Sequence, residues 1–232
     1  MGLQTVGLMR ILSIAYGQFP QVFKLYSRFQ PGIGHLKVIL EITPAGGFER
    51  ARFLTVFRQL AEFFPTISQH SCCEEWETAP LYLEKEDGVS IKRVGEAADV
   101  AHLIEHVIVD MQVGLGGLHR CSGLTCGWKD PDNRFDLFVE CANARVGLFA
   151  SQFAVYLVSR ILTKRKLSAR NRFVLTLAAY MQANPSAKLD APGLARALGW
   201  KKRDTEMALS RLREFGFFEN GKDDEVREEE DV

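Results

Sequence analysis

The sequence predicts an α+β fold: a small mixed or antiparallel sheet packed with helices, then an all-α, winged-helix-like C-terminal part. Three observations lead there. Strand-like and helix-like apolar periods alternate over residues 1–166, whereas residues 167–218 carry helical periods only. The 232 residues are 47% hydrophobic and 25% charged, the balance of a chain that buries a sizeable core. The formal net charge is zero, which excludes a uniformly basic nucleic-acid coat protein.

The first eighteen residues are mildly apolar but lack the charged n-region and continuous h-region of a secretory signal. No uninterrupted apolar run of about 18 residues occurs, so no membrane span is expected. Residues 35–42, His-Leu-Lys-Val-Ile-Leu-Glu-Ile, form a short β-branched run ended by Thr-Pro and two glycines, hence a strand. Residues 48–64 place Phe53, Leu54, Phe57, Leu60, Ala61 and Phe64 at helical spacing and stop at Pro65. Residues 66–97 read as irregular, with a short strand near 89–94. Asp99 opens a helix that runs to about Leu115, where Gly114, Gly116 and Gly117 end it. Residues 118–128 and 134–141 read as two strands joined by Lys-Asp-Pro-Asp-Asn. Residues 144–166 form a long helix with Phe149, Phe153, Tyr156, Leu157 and Ile161 on its apolar side.

Beyond residue 166 the character changes. Residues 167–218 hold nine basic and four acidic side chains; residues 219–232 hold two basic and eight acidic ones. The first stretch reads as three helices, at 171–184, 191–198 and about 203–215, with Asp190 as an N-cap and Gly199 as a stop. A short helix, a glycine turn and a helix opening on Lys201-Lys202-Arg203 outline a helix-turn-helix. Lys201, Lys202, Arg203 and Arg213 are its candidate nucleic-acid contacts. A protein-interaction or dimerisation module has the same outline. The acidic stretch reads as a disordered tail. Five cysteines, two of them adjacent, fit a reducing cytosol better than a disulfide framework, so the expected location is cytoplasmic.

The strongest chemical signal is His102-Leu103-Ile104-Glu105-His106. It has the form H-x-x-E-H of the inverzincin metallopeptidases. At about 100° per residue the two histidines lie one turn and about 40° apart on one helix face. Both imidazoles can then reach a single tetrahedral Zn2+, and Glu105 lies in the same arc, placed to serve as a base. Val100, Ile104, Val107, Ile108, Met111 and Leu115 form the apolar stripe, and the His/Glu/His arc points almost opposite to it. Val109 within the polar arc indicates that this face too is partly covered. A catalytic zinc needs a third protein ligand. Glu140 is the first candidate, because its strand follows soon after the helix; His119, Asp136 and Cys141 are alternatives. Cys121 and Cys126 beside His119 have an unusual spacing for a zinc knuckle and read as small strand hydrophobes. Cys72-Cys73 reads as loop or core. Gly114-Leu-Gly-Gly117 follows a helix instead of opening one, so it is a helix stop and not a phosphate loop.

The run from His102 to Gln112, then Ser122-Gly-Leu-Thr125 and Phe138-Val-Glu140, resembles the N-terminal domain of cyanophycin synthetase, as does 64–72 with His70 and Cys72. The resemblance covers roughly residues 35–165. It implies a metallopeptidase-like site with His102 and His106 as zinc ligands, Glu105 as base and Glu140 as third ligand. The family's Gly-Arg-Thr-Arg strand reads Gly123-Leu124-Thr125-Cys126 here, without either arginine. Its ATP-dependent ligase domains have no counterpart in these residues, so polymer synthesis is not implied.

The expected function is therefore zinc-dependent, peptidase-like hydrolysis of a peptide or isopeptide bond by residues 1–166. The alternative is a non-catalytic adaptor or DNA-binding regulator acting through residues 167–218. DNA or a protein is the expected partner of the C-terminal part, a homo-oligomer is compatible with either reading, and no membrane partner is expected.

Overall fold

The computed structural model describes residues 5, 6, 8–43, 50–69, 97–188 and 190–218. The strand expected near 89–94, the stretch with His70, Cys72 and Cys73, and the acidic 219–232 lie outside the described residues.

One antiparallel sheet organises the first part. Its strands are β1 (Thr5–Val6), β2 (Met9–Gly17), β3 (His35–Ile42), β4 (Gly123–Gly127) and β5 (Arg134–Glu140), in spatial order β1-β2-β3-β5-β4. The register pairs Leu36 with Val139, Val38 with Leu137 and Leu40 with Phe135. Because side chains alternate along a strand, these residues share one face, and all are buried in the main core. His35, Lys37, Phe138 and Glu140 consequently share the opposite face. There the segment between β2 and β3, which includes the short helix α1 (Val22–Leu25), packs as a strap. Val22 and Phe29 from the strap and Phe138 from β5 make a second, smaller core. Farther along that face Lys37 pairs with Asp136 at 3.4 Å.

The main face is covered by helices α2 (Arg50–Ala61), α3 (Ala97–Gly116) and α4 (Ala144–Leu162), whose apolar side chains join the strand residues in one core. Asn143 caps α4, its Oδ1 accepting from the amides of Arg145 and Val146. A Cβ at Gly147 would lie 2.7 Å from Cys141 Sγ, so glycine is what lets α4 approach β5 this closely. By length and composition α4 could cross a membrane; in this fold it is a core helix, with 72% of that stretch buried.

Three further helices follow: α5 (Ala169–Ala183), α6 (Ala191–Leu198) and α7 (Lys202–Glu214). Asp190 caps α6 through Gly193 N at 2.6 Å, and Gly199 at φ +68° closes it, a left-handed conformation that favours glycine. No strand follows Glu140 among the described residues, so a wing is not seen. The three helices share the main core. Phe215 packs on Phe149 and Phe153 of α4, and Phe217 packs on Phe149 at a 5.4 Å centroid separation.

Candidate metal centre

Helix α3 carries the site. Its two histidines, one turn apart, present their rings at 88° to each other, with Nε2 atoms 3.0 Å apart. Two nitrogens on one tetrahedral zinc at 2.0–2.1 Å would stand about 3.3 Å apart, so the pair needs little adjustment to chelate. Glu105 completes the group: one ligand atom each from His102, Glu105 and His106 lie within 4.8 Å of one another. Glu105 Oε2 is 3.9 Å from His102 Nε2. That exceeds the ligand–ligand spacing of a tetrahedral site and suits a carboxylate beside a metal.

The face carrying these residues is covered, as Val109 suggested. Glu105 and His106 are buried, while His102 is partly open. The cover is β4. Thr125 Oγ1 donates to Glu105 Oε2 at 2.6 Å. Gly123 lies directly under the carboxylate, and a Cβ there would fall 2.3 Å from Glu105 Oε1. Both residues have the parity of the helix-facing strand positions, since Gly123 pairs with Val139 and Thr125 with Leu137. Nearby, Cys121 is half-buried, and burial followed by the charge of Glu140 pushes its thiol above the ordinary range.

The structure does not bring Glu140 to this group. Glu140 pairs with His35 on the opposite face of the sheet. Its carboxylate is fully buried there and accepts from Gln30 N, from Gln30 Nε2 at 3.0 Å and from Ser122 N at 2.8 Å. The expectation that Glu140 ligates the metal is corrected by strand parity: Leu137 and Val139 face α3, so Glu140 faces away. Its role in this fold is to tie the strap to the turn that enters β4.

The alternatives do not join the cluster either. His119 is exposed, Asp136 pairs with Lys37, and Cys141 is buried with its Sγ on Asn143 O. Burial raises the Cys141 thiol to about 11. Among the described residues the only grouping of three or more possible ligands is His102, Glu105 and His106; Cys121, Cys126 and His119 form none. Thr125 and Gly123 are the residues that sequence reasoning missed. Their signal was a small-residue strand directly following the motif helix.

In the C-terminal helices Lys201, Lys202 and Arg203 are exposed at the start of α7, and Arg213 is exposed near its end. Lys202 pairs with Glu206 at 3.6 Å, and the Arg213 guanidinium lies 5.9 Å from the Phe218 ring centroid.

Comparison with known proteins bears on this site. A family model described as the cyanophycin synthase-like N-terminal domain matches residues 37–163, more than half of the chain. The match spans β3, α2, α3, β4, β5 and α4, and so includes every residue of the cluster and its cover. None of the curated proteins matches the chain.

Proposed function

The chain belongs to the cyanophycin synthase-like N-terminal domain family, and from that premise we propose that it is a zinc-dependent, peptidase-like hydrolase of amide bonds. The observation that carries the reading is the His102–His106 pair with its Nε2 atoms 3.0 Å apart beside a buried Glu105. The two imidazoles suit Zn2+, with the Glu105 carboxylate beside them, and no third protein ligand stands with them among the described residues. When bound, zinc supplies Lewis acidity toward a carbonyl oxygen and a water. His102 and His106 would hold it. Glu105 takes a proton from the attacking water and passes it to the leaving amine. Thr125 fixes the carboxylate's orientation through Oε2, and the cover over Glu105 and His106 keeps bulk water from competing. A reducing cytosolic setting suits the free thiols at Cys121, Cys126 and Cys141.

The test is zinc content measured together with hydrolysis. Wild type should carry about one zinc per chain, and His102→Ala or His106→Ala should lose it, because one imidazole holds zinc poorly. Glu105→Gln should keep zinc and lose hydrolysis. Equal zinc in wild type and His102→Ala overturns the metal site. Loss of zinc in Glu105→Gln makes Glu105 a ligand instead of the base.

A second reading, a DNA-binding regulator or adaptor, is favoured by one observation: Lys201, Lys202, Arg203 and Arg213 are all exposed on a helix-turn-helix outline.

A further inference from the structure

We propose that the edge of β4 that no strand pairs with among the described residues takes up the substrate as an added strand, so that the chain cleaved is an extended, α-linked peptide held by its main chain. The inference rests on the hydrolase reading above and narrows its substrate class.

β4 ends the sheet, and α3 packs over it and β5. The direction of its outer hydrogen-bonding groups follows from the ladder. Glu140 N donates to Ser122 O at 2.9 Å, and Trp128 N donates to Arg134 O at 2.9 Å. Bonded and non-bonded pairs alternate in an antiparallel ladder, so positions 122, 124, 126 and 128 face β5. Gly123, Thr125 and Gly127 therefore turn their N–H and C=O groups toward that edge. Among the described residues no strand pairs with them. Two of these three positions are also the ones that touch Glu105, through the Thr125 hydroxyl and under Gly123. A strand added about 4.8 Å beyond β4 would lie next to the two residues that touch the Glu105 carboxylate.

Within its own residues the edge also lacks the usual defences. Exposed edges are ordinarily blunted by charge, proline, a bulge or extreme shortness. The far edge, β1, has only two residues. β4 reads Gly-Leu-Thr-Cys-Gly, with no charge and no proline, and its register against β5 runs unbroken. Glycine at both ends keeps side chains out of the way of an approaching backbone. Capture by main-chain pairing tolerates many side chains. It requires the regular backbone alternation of an α-peptide, which a side-chain isopeptide link interrupts.

The experiment uses the full zinc-loaded chain and two probes: a pool of capped octapeptides randomised at every position, and the same pool fully N-methylated. Amide hydrogen exchange is followed in Glu105→Gln, which holds peptide without cleaving it. The first pool should slow exchange at Gly123, Thr125 and Gly127 by at least about tenfold, leave Leu124 and Cys126 unchanged, and lose its effect on N-methylation. In the wild-type background Gly127→Pro, which removes one outward donor, should lower kcat/KM on the first pool by about fivefold or more, the size of one lost hydrogen bond. Octapeptide cleavage with no slowing at the three outward amides overturns the edge-strand mode. Cleavage of a β-aspartyl dipeptide but not of the octapeptides overturns the substrate class and leaves the hydrolase reading standing. If zinc is bound and neither is cleaved, the hydrolase reading fails, and the exchange pattern alone then decides whether the edge captures a peptide.

Discussion

Replacing Gly123 with alanine should disable the proposed base without disturbing the fold or the metal. The added Cβ would fall 2.3 Å from Glu105 Oε1, 2.8 Å from Cδ and 2.9 Å from Cγ. Ordinary contact begins near 3.4 Å, so the carboxylate must retreat by about 1 Å. It can do so because it is the end of a flexible side chain, but it then leaves the Thr125 hydroxyl that now sits at 2.6 Å. A misplacement of about 1 Å costs on the order of 10²-fold in rate. Alanine suits a strand better than glycine by about 0.5–1 kcal/mol, but the lost hydrogen bond to the buried carboxylate is worth about 1.5–3 kcal/mol, so the melting temperature should fall by a few degrees while the chain stays folded. The assay is kcat on the octapeptide pool, with zinc content and thermal unfolding measured on the same preparation. A shorter side chain should relieve the clash: in a Glu105→Asp background, Gly123→Ala should cost less than about tenfold, a non-additivity that marks direct contact. Wild-type kcat in Gly123→Ala would refute the argument that Glu105 acts from this position.

Glu140→Ala should leave zinc content unchanged while lowering stability by about 2–4 kcal/mol, because Gln30 N, Gln30 Nε2 and Ser122 N all lose a buried charged acceptor; urea unfolding beside metal analysis checks this, and zinc loss at unchanged stability contradicts it. Burial lowers the pKa of His35, with Glu140 opposing the shift. The unfolded chain then binds the extra proton first, so stability is full above about pH 6.5 and falls as pH drops below it, by at most about 1.4 kcal/mol per pH unit. His35→Phe, still packed against Phe23 and Phe29, should lack that part of the slope in unfolding midpoints taken between pH 7.5 and 5.5. For the regulator reading, changing Lys201, Lys202 and Arg203 together to alanine should weaken binding to mixed duplex DNA and reduce the salt slope by up to about three; absence of binding by the wild type at low salt removes that reading's main support.

Strong local patterns were legible in the sequence. The strand at 35–42 matches β3, and the expected helices at 99–115 and 191–198 agree with α3 and α6 within two residues at either end. Each has a clean period and a chemical stop. β2 was missed because the register shifts between Ile11 and Ser13, which breaks the two-residue alternation that a reader looks for. The His102, Glu105 and His106 grouping was legible because helical geometry alone brings i, i+3 and i+4 together. Glu140 was misassigned because proximity along the chain says nothing about which face of a sheet a residue takes. Leu137 and Val139 did hold that information, but Phe138 obscured it, since the strap makes the second face apolar as well. Thr125 and Gly123 drew no role because only the packing of β4 under α3 gives them one.

The burial of Glu140 has a bearing on strand alignment. Phe135 and Leu137 are buried on either side of Asp136, which sets the alternation at the start of β5, but Phe138, Val139 and Glu140 are buried in succession, so at this end hydrophobicity alone discriminates weakly between two pairings of β5 with β3 that differ by one residue. A slip of one position would turn Glu140 into the helix-side core among Leu36, Val38 and Phe149, away from Gln30 and Ser122. An unpaired carboxylate there costs several kcal/mol, whereas Val139 would lose little under the strap. The buried charge thus acts as a second index mark for the sheet, beside the alternation of Phe135, Asp136 and Leu137: it penalises the slipped pairing at the end of β5 that the apolar residues alone leave weakly marked.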